Sequence, residues 1–305
     1  MTIRTDRPKP LKERVDGVLL LDKPCGISSN AALQRARRAV GAAKAGHTGT
    51  LDPLASGLLP LAFGESTKFS QSLLNADKAY TAIVRLGVTT TTGDAEGEVL
   101  DTRPVDVAPQ AIVDIARGFI GEIEQLPPMY SALKHAGKPL YAYAREGIDI
   151  ERKRRRVTIR SLTCTPVDAH SFRLDVSCSK GTYVRTLGED IGHALGCGAH
   201  LTALRRTAIG AFRIEDAVRL DQVEAEGLAA RGLLLGVDSL IAELPMLALA
   251  PEDASRLLFG QTTRIDRMAP GAYRLYDDGR FLGLGTVDDE GMLTSRRLVS
   301  NTHGA

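Results

Sequence analysis

Residues 46–59 read Gly46-His47-Thr48-Gly49-Thr50-Leu51-Asp52-Pro53-Leu54-Ala55-Ser56-Gly57-Leu58-Leu59, and no other stretch constrains the fold as tightly. Glycines at 46, 49 and 57 permit tight backbone paths and close approach to a ligand. Pro53 fixes its own φ and biases Asp52 toward an extended conformation, so one acid stands at an ordered corner. The apolar run from Leu58 to Phe63 anchors that corner in a core. A rigid turn presenting a single carboxylate suits a site that must place a nucleophile accurately. The plainer reading, an Asp before Pro that caps a helix or forms a turn, fits the local pattern better. Gly46-His47-Thr48-Gly49 also matches the GXXG loop of KH-type RNA clamps, but no helix-loop-helix pattern frames it.

The rest of the chain narrows the class. A length of 305 residues suits one large domain plus a small one. Hydrophobic content of 43% and charged content of 25% are those of an ordinary globular protein. No apolar run approaches the roughly 18 residues that span a bilayer. Met1 to Arg14 is polar and basic without an apolar stretch, which argues against a signal peptide and for the cytoplasm. Cys25, Cys164, Cys178 and Cys197 lack CxxC spacing, and the six histidines form no HExxH-like cluster, so no metal is expected.

The net charge of +2 hides segregation. Residues 130–160 hold nine Lys/Arg against three acids, while residues 89–126 hold eight acids against Arg103 and Arg117. A charge run is commonly just a solvated face. The density of Arg152-Lys153-Arg154-Arg155-Arg156 favours a directed polyanion surface instead.

Val15–Leu21 reads as a buried strand, followed by a helix capped at Ser28 or Ser29 and stopped at Gly41. Glu65–Leu74 looks helical, and Tyr80–Leu86 alternates as a strand with Tyr80, Ala82, Val84 and Leu86 on one face. The acidic 89–101 segment is turn-rich, and Pro109 opens a helix through Arg117. Residues 121–156 look like an insertion reaching out from the core. Val157–Val167 and Phe172–Cys178 are strands, Leu187–Leu195 is a helix, and helical pattern recurs around Asp221–Leu235. Pro245–Pro251 reads as a linker to a small β-rich tail with turns at 277–279 and 288–291.

Ser179-Lys180-Gly181-Thr182-Tyr183-Val184-Arg185-Thr186-Leu187 is the second dense motif. On an extended segment Tyr183 and Arg185 share a face, and an aromatic beside a guanidinium suits a planar base or a carboxylate. Arg185 reaching Asp52 would keep that acid ionised and oriented. A surface Tyr and a solvated Arg are the equally simple alternative. Tyr80 could stack on a base, though alone it reads as a core residue. Leu204-Arg205-Arg206 sets an apolar wall beside two phosphate-ready charges, and a lone His47 is usually structural.

The segment 46–57 is similar to the signature of the bacterial tRNA pseudouridine-55 synthases, the TruB type. Gly17-Val18-Leu19-Leu20-Leu21-Asp22-Lys23-Pro24, Asp77-Lys78-Ala79-Tyr80 and Ser177–Leu187 resemble three more of that family's motifs. Pro128-Met129-Tyr130-Ser131-Ala132-Leu133-Lys134 and Leu140-Tyr141-Ala142-Tyr143-Ala144-Arg145-Glu146-Gly147 resemble its tRNA-gripping insertion. The resemblance runs from about residue 15 to 215; the tail resembles a short PUA module.

The resemblance implies an α+β fold: a mixed, mostly antiparallel central sheet flanked by helices, with a small C-terminal β-rich PUA-like domain. It implies a basic tail at 1–14, a catalytic domain at 15–244 with an RNA-gripping insertion at about 121–156, and an RNA-binding domain at 245–305. Asp52, Tyr80 and Arg185 are the implied catalytic residues. His47, Tyr183, Leu204, Lys134, Arg145, Arg154 and Arg205 would contact substrate, with Lys23, Pro24, Gly46 and Gly49 as structural support. The implied reaction turns uridine into pseudouridine at position 55 in the T-loop of tRNA, on a flipped-out base, with no cofactor and no metal. A monomer without membrane contact is expected, its partner the tRNA T-arm. The alternative is a non-catalytic RNA-binding or tRNA-folding protein. An aspartate-nucleophile hydrolase is disfavoured because no second acid follows Asp52 before Glu65.

Overall fold

A computed structural model describes residues 13–300. Of the expected basic tail, only Glu13 and Arg14 fall inside that range; residues 1–12 lie outside the described residues.

The chain opens with β1 (Gly17–Lys23), α1 (Ser29–Ala39), β2 (Ala45–His47), β3 (Ala55–Phe63), α2 (Ser70–Leu74) and β4 (Lys78–Leu86). The hairpin β5 (Val88–Thr90) and β6 (Val99–Thr102) leads to α3 (Pro109–Arg117) and β7 (Gly121–Gln125). An arm follows, carrying β8 (Lys134–His135), β9 (Lys138–Pro139) and α4 (Leu140–Arg145). Next come β10 (Arg155–Asp168), β11 (Ser171–Cys178), α5 (Val184–Ala194), β12 (Ala199–Ile209), β13 (Phe212–Arg213), β14 (Val218–Arg219) and α6 (Leu220–Glu226). The tail comprises β15 (Met246–Ala248), α7 (Pro251–Leu258), β16 (Thr263–Arg264), β17 (Gly271–Asp277), β18 (Arg280–Val287) and β19 (Met292–Leu298).

The central sheet runs β14-β1-β3-β12-β4-β11-β10-β7, with β2 on β3 and β13 on β12. Among the described residues, only β1–β14 and β3–β12 pair in parallel within it, so the sheet is mixed and mostly antiparallel, as expected of an α+β fold. Both faces are covered. In β1, Leu19 and Leu21 enter the larger core while Val18 and Leu20 enter a second one on the opposite face. β3 is buried along nearly its whole length, which is why it reads as a continuous apolar run. The second core joins the five-stranded C-terminal sheet, where Phe69 meets Phe281 edge-on at 5.5 Å.

Local signals explain the helices that frame the site. The Ser28 side chain accepts from Ala31 N at the start of α1, and Gly41 at φ 67° takes the left-handed turn that ends it. Pro109 occupies the first turn of α3.

Four expectations need correction. Residues 64–69 form a 3₁₀ turn, leaving only Ser70–Leu74 as α-helix. The helix near 221–235 ends at Glu226 and continues as 3₁₀ from Gly227 to Leu233. Pro245–Pro251 is not a free linker, because Met246–Ala248 pairs in parallel with β17. The insertion is shorter than 121–156. Arg155 and Arg156 pair with Gln125 and Glu124 inside the central sheet, so only the residues between those strands leave it.

Candidate active site

Asp52 lies in the loop between β2 and β3, and the backbone around it is held at several points. The Ser29 hydroxyl accepts from Leu51 N at 2.7 Å and donates to Leu51 O at 2.9 Å. Gly26 N donates to Pro53 O at 2.8 Å. Lys23 is fully buried and donates to Pro24 O and Ile27 O, which fixes the turn carrying Gly26. Burial lowers the Lys23 ammonium to about 8, against the attraction of Asp52. Gly49 takes φ 87°, a conformation that favours glycine. A β-carbon at Gly46 would meet nothing within 4 Å, so no close packing demands glycine there.

Arg185 reaches the same place from the first turn of α5. The expected extended segment 183–185 is therefore corrected: Tyr183 alone is extended, at φ −101° and ψ 108°, and the helix starts at Val184. Gln125 fixes this start, accepting from Tyr183 N at 3.0 Å and donating to Tyr183 O at 3.3 Å. The Arg185 side chain is 5% exposed, and its Nη2 lies 3.0 Å from Asp52 Oδ2. Nη1 donates to Thr92 O and Nη2 to Tyr130 O, both at 2.6 Å. Nε lies 3.6 Å from Asp94 Oδ2, and Asp94 Oδ1 accepts from Thr92 Oγ1 at 2.5 Å.

These residues border a cavity of about 160 Å³ lined by Asp52, Tyr80, Ser131, Tyr183, Arg185 and Leu204. That is below the ~300–1,000 Å³ of pockets for drug-sized ligands and suits a single planar ring. A larger depression, about 500 Å³, lies at the start of α7. Its lining, Pro251, Glu252, Asp253, Ser255 and Arg256, has neither an aromatic wall nor a buried acid.

Within the cavity, burial pushes the Asp52 carboxyl above its ordinary value; Arg185 opposes this and Asp94 adds to it. The Asp52 side chain still keeps 40% of its surface exposed, so the acid is enclosed at its base and open toward the cavity. Burial also raises the Tyr80 and Tyr183 phenols, opposed most by Arg206 at Tyr80 and by Ser131 at Tyr183. The arrangement offers a flat ring an aromatic and an apolar surface beside one oriented carboxylate.

The other expected site residues lie elsewhere. His47 sits on β2, outside the cavity lining, with a buried, unpartnered Nδ1 and its pKa lowered by burial. Lys134, Arg145 and Arg154 are exposed on or beside the arm, with Arg145 over the Tyr141 ring at 5.3 Å. Arg205 forms a forked pair with Asp22 at 3.0 and 2.7 Å. The reading of Arg206 as phosphate-ready is corrected: it is 1% exposed.

Sequence reasoning missed Asp94, which the turn-rich acidic segment carries into the interior at 2% exposure. It also missed Glu96, whose carboxyl is raised by burial and by Asp94, and Glu189, four residues after Arg185 on α5. No acid follows Asp52 in sequence before Glu65, but in space Asp94 shares Arg185 with it.

Three family models match the chain. "TruB family pseudouridylate synthase (N terminal domain)" covers residues 37–184, "tRNA pseudouridylate synthase B C-terminal domain" covers 185–242, and "Pseudouridine synthase II TruB, C-terminal" covers 245–299. The tRNA pseudouridine synthase B of Aromatoleum aromaticum is 58% identical over 287 residues, 94% of this chain and 93% of that protein. The protein of the same name from Chromobacterium violaceum is 53% identical over 300 residues, 97% of this chain and 98% of that one. A solved Cbf5-Nop10-Gar1 complex contains a chain of like fold, with TM-score 0.70 and 24% identity, covering 96% of this chain and 87% of that one.

Proposed function

We propose, for a chain that belongs to the TruB family of pseudouridylate synthases, that Asp52 is the group acting at the uridine C1′–base junction. The protein isomerises uridine to pseudouridine in tRNA, the activity its curated relatives are named for. The reaction breaks N1–C1′, turns the uracil and forms C5–C1′. No atom is gained or lost, and no redox equivalent is consumed. The observation that carries the role of Asp52 is its contact with Arg185 at 3.0 Å on the wall of a ring-sized cavity.

An ionised carboxylate can attack C1′, attack C6 or take the 2′ proton, and each route needs it fixed beside the glycosidic bond. Arg185 holds Asp52 ionised and aimed, because its planar fork is itself anchored on two carbonyls. Tyr80, which lines the cavity with Leu204, is the stacking platform that keeps the detached uracil in place while it turns. Tyr183 borders the same ring.

The target base, position 55 of the T-loop, must leave its stack first, at a cost of a few kcal/mol. Phosphate contacts from the exposed Lys134, Arg145 and Arg154 and from the C-terminal sheet offset that cost. Arg205, paired with Asp22, meets the RNA outside the cavity. His47, Lys23, Pro24, Gly46 and Gly49 hold the Asp52 loop in shape. The protein acts as a monomer in the cytoplasm.

The test is incubation with an unmodified tRNA transcript followed by pseudouridine mapping at single-nucleotide resolution. One new pseudouridine in the T-loop is expected. Free uracil would mark a hydrolase instead, and refolding of the tRNA without base change a folding helper.

A further inference from the structure

Among the described residues Arg206 is the largest fully buried side chain, and the phosphate-binding role its sequence suggests is closed to it at 1% exposure. The oxygens it reaches are neutral. Nε donates to Leu58 O at 2.7 Å, Nη2 donates to Gly49 O at 3.2 Å, and the guanidinium's charge acts on the Tyr80 phenol. Burying a cation against neutral partners is costly, so its retention here calls for a gain elsewhere.

The sheet register shows where that gain lies. Arg206 stands directly opposite Tyr80 across β12–β4, and directly opposite Gly57 across β12–β3. Opposed residues on an antiparallel pair project from the same face, so the guanidinium lies against the phenol by construction. At Gly57 a β-carbon would come within 2.3 Å of Arg206 O, so the neighbouring strand can close onto Arg206 only as glycine. Leu204, which lines the cavity, lies two residues earlier on the same strand.

Gly49 and Leu58 lie on either side of Asp52 in the chain. One planar fork therefore grips both ends of the segment that carries the acid, and the same side chain holds the ring that stacks on the base. The Arg206 charge favours negative charge on the Tyr80 oxygen, against the effect of burial.

We propose that Arg206 is a positioning residue for the isomerisation: it fixes the Tyr80 hydroxyl and the Asp52 loop in one frame. The proposal rests on the reading of Asp52 and Tyr80 given above. Arg206 itself touches no substrate.

The test is a cycle of Arg206→Lys, Tyr80→Phe and the double variant, read by single-turnover rate and tRNA affinity. Arg206→Lys keeps the buried cation but loses the fork. It should lower the rate by roughly 10-fold or more with tRNA affinity within about 2-fold, and the loss should shrink to about 2-fold in the Tyr80→Phe background. An undiminished rate, or the same loss with and without the Tyr80 hydroxyl, overturns the proposal. A Tyr80→Phe variant at full rate would instead overturn the reading of Tyr80. Carbon-13 tyrosine NMR supplies a readout that general loosening would not move, with Tyr80 assigned by its loss in Tyr80→Phe. The Tyr80 titration should move to higher pH in Arg206→Lys, and an unmoved titration likewise overturns the proposal.

Discussion

Asp52 Oδ2 and Arg185 Nη2 meet at 3.0 Å, one carried by the loop before β3 and the other by the first turn of α5. Arg185 cannot swing to follow a moving partner, because Thr92 O and Tyr130 O hold its two terminal nitrogens. Asp94 completes the enclosure at 3.6 Å. The acid is thus aimed by a cation that is itself fixed, as expected of a preorganised site. Tyr130 belongs to the segment leading into the arm, so that segment and the acid meet on the same guanidinium.

Arg185→Lys keeps a positive charge but replaces a fork that serves Asp52, Asp94 and two carbonyls with a single point donor. The single-turnover rate should fall on the order of 10²-fold, the scale for losing one preorganised donor. tRNA affinity should change little, since the Arg185 side chain is 5% exposed. An unaltered rate would remove Arg185 from its role.

The pH–rate profile should show an acid limb from Asp52. The ionised form is the active one, so the rate falls as pH drops through the carboxyl's pKa. Burial has raised that pKa, so the midpoint should lie above the ~3.9 of a free aspartate. Arg185→Gln removes the opposing charge and should move the residual limb to still higher pH. A limb at the ordinary aspartate position would contradict the assignment.

Glu189 is pushed up to about 7 by burial, with Arg185 opposing and Asp190 adding. Its carboxyl lies so close to Gly93 that a β-carbon there would come within 2.7 Å of it. A raised carboxyl binds its proton more tightly in the folded state, so stability is fully present below the unfolded value of ~4.3 and is lost as pH rises through about 7. Glu189→Gln should match the parent near pH 4 and exceed it near pH 8 by on the order of 1–2 kcal/mol. Thermal melts at the two pH values check this, with the gain appearing as a few degrees at the higher pH alone.

Asp52, Tyr183 and Arg185 stood out because dense glycine-bearing motifs mark places where backbone must turn sharply or approach closely, whereas Tyr80 and Leu204 joined them only through the family resemblance. Asp94 was not, because its segment has the composition of a solvated loop, and only the fold shows that Thr92 and Arg185 pull it inside. Arg205 and Arg206 look alike in sequence. Strand alternation sends one to Asp22 at the surface and the other into the sheet, and that assignment needs a register. Met246–Ala248 escaped notice because a three-residue strand in a proline-bounded stretch carries no periodicity, and pairing with β17 is what makes it a strand. β7 was hidden for a related reason: Glu122 and Glu124 face outward on an edge strand and read as loop.

Asp52→Asn is the most direct measurement. The amide keeps the volume of the side chain and cannot act as a carboxylate. The variant should bind unmodified tRNA within about 3-fold of the parent and form no pseudouridine in a single-turnover assay run to many parent half-times. Pseudouridine accumulating at a measurable rate, with deamidation back to aspartate ruled out by mass spectrometry, would contradict the account.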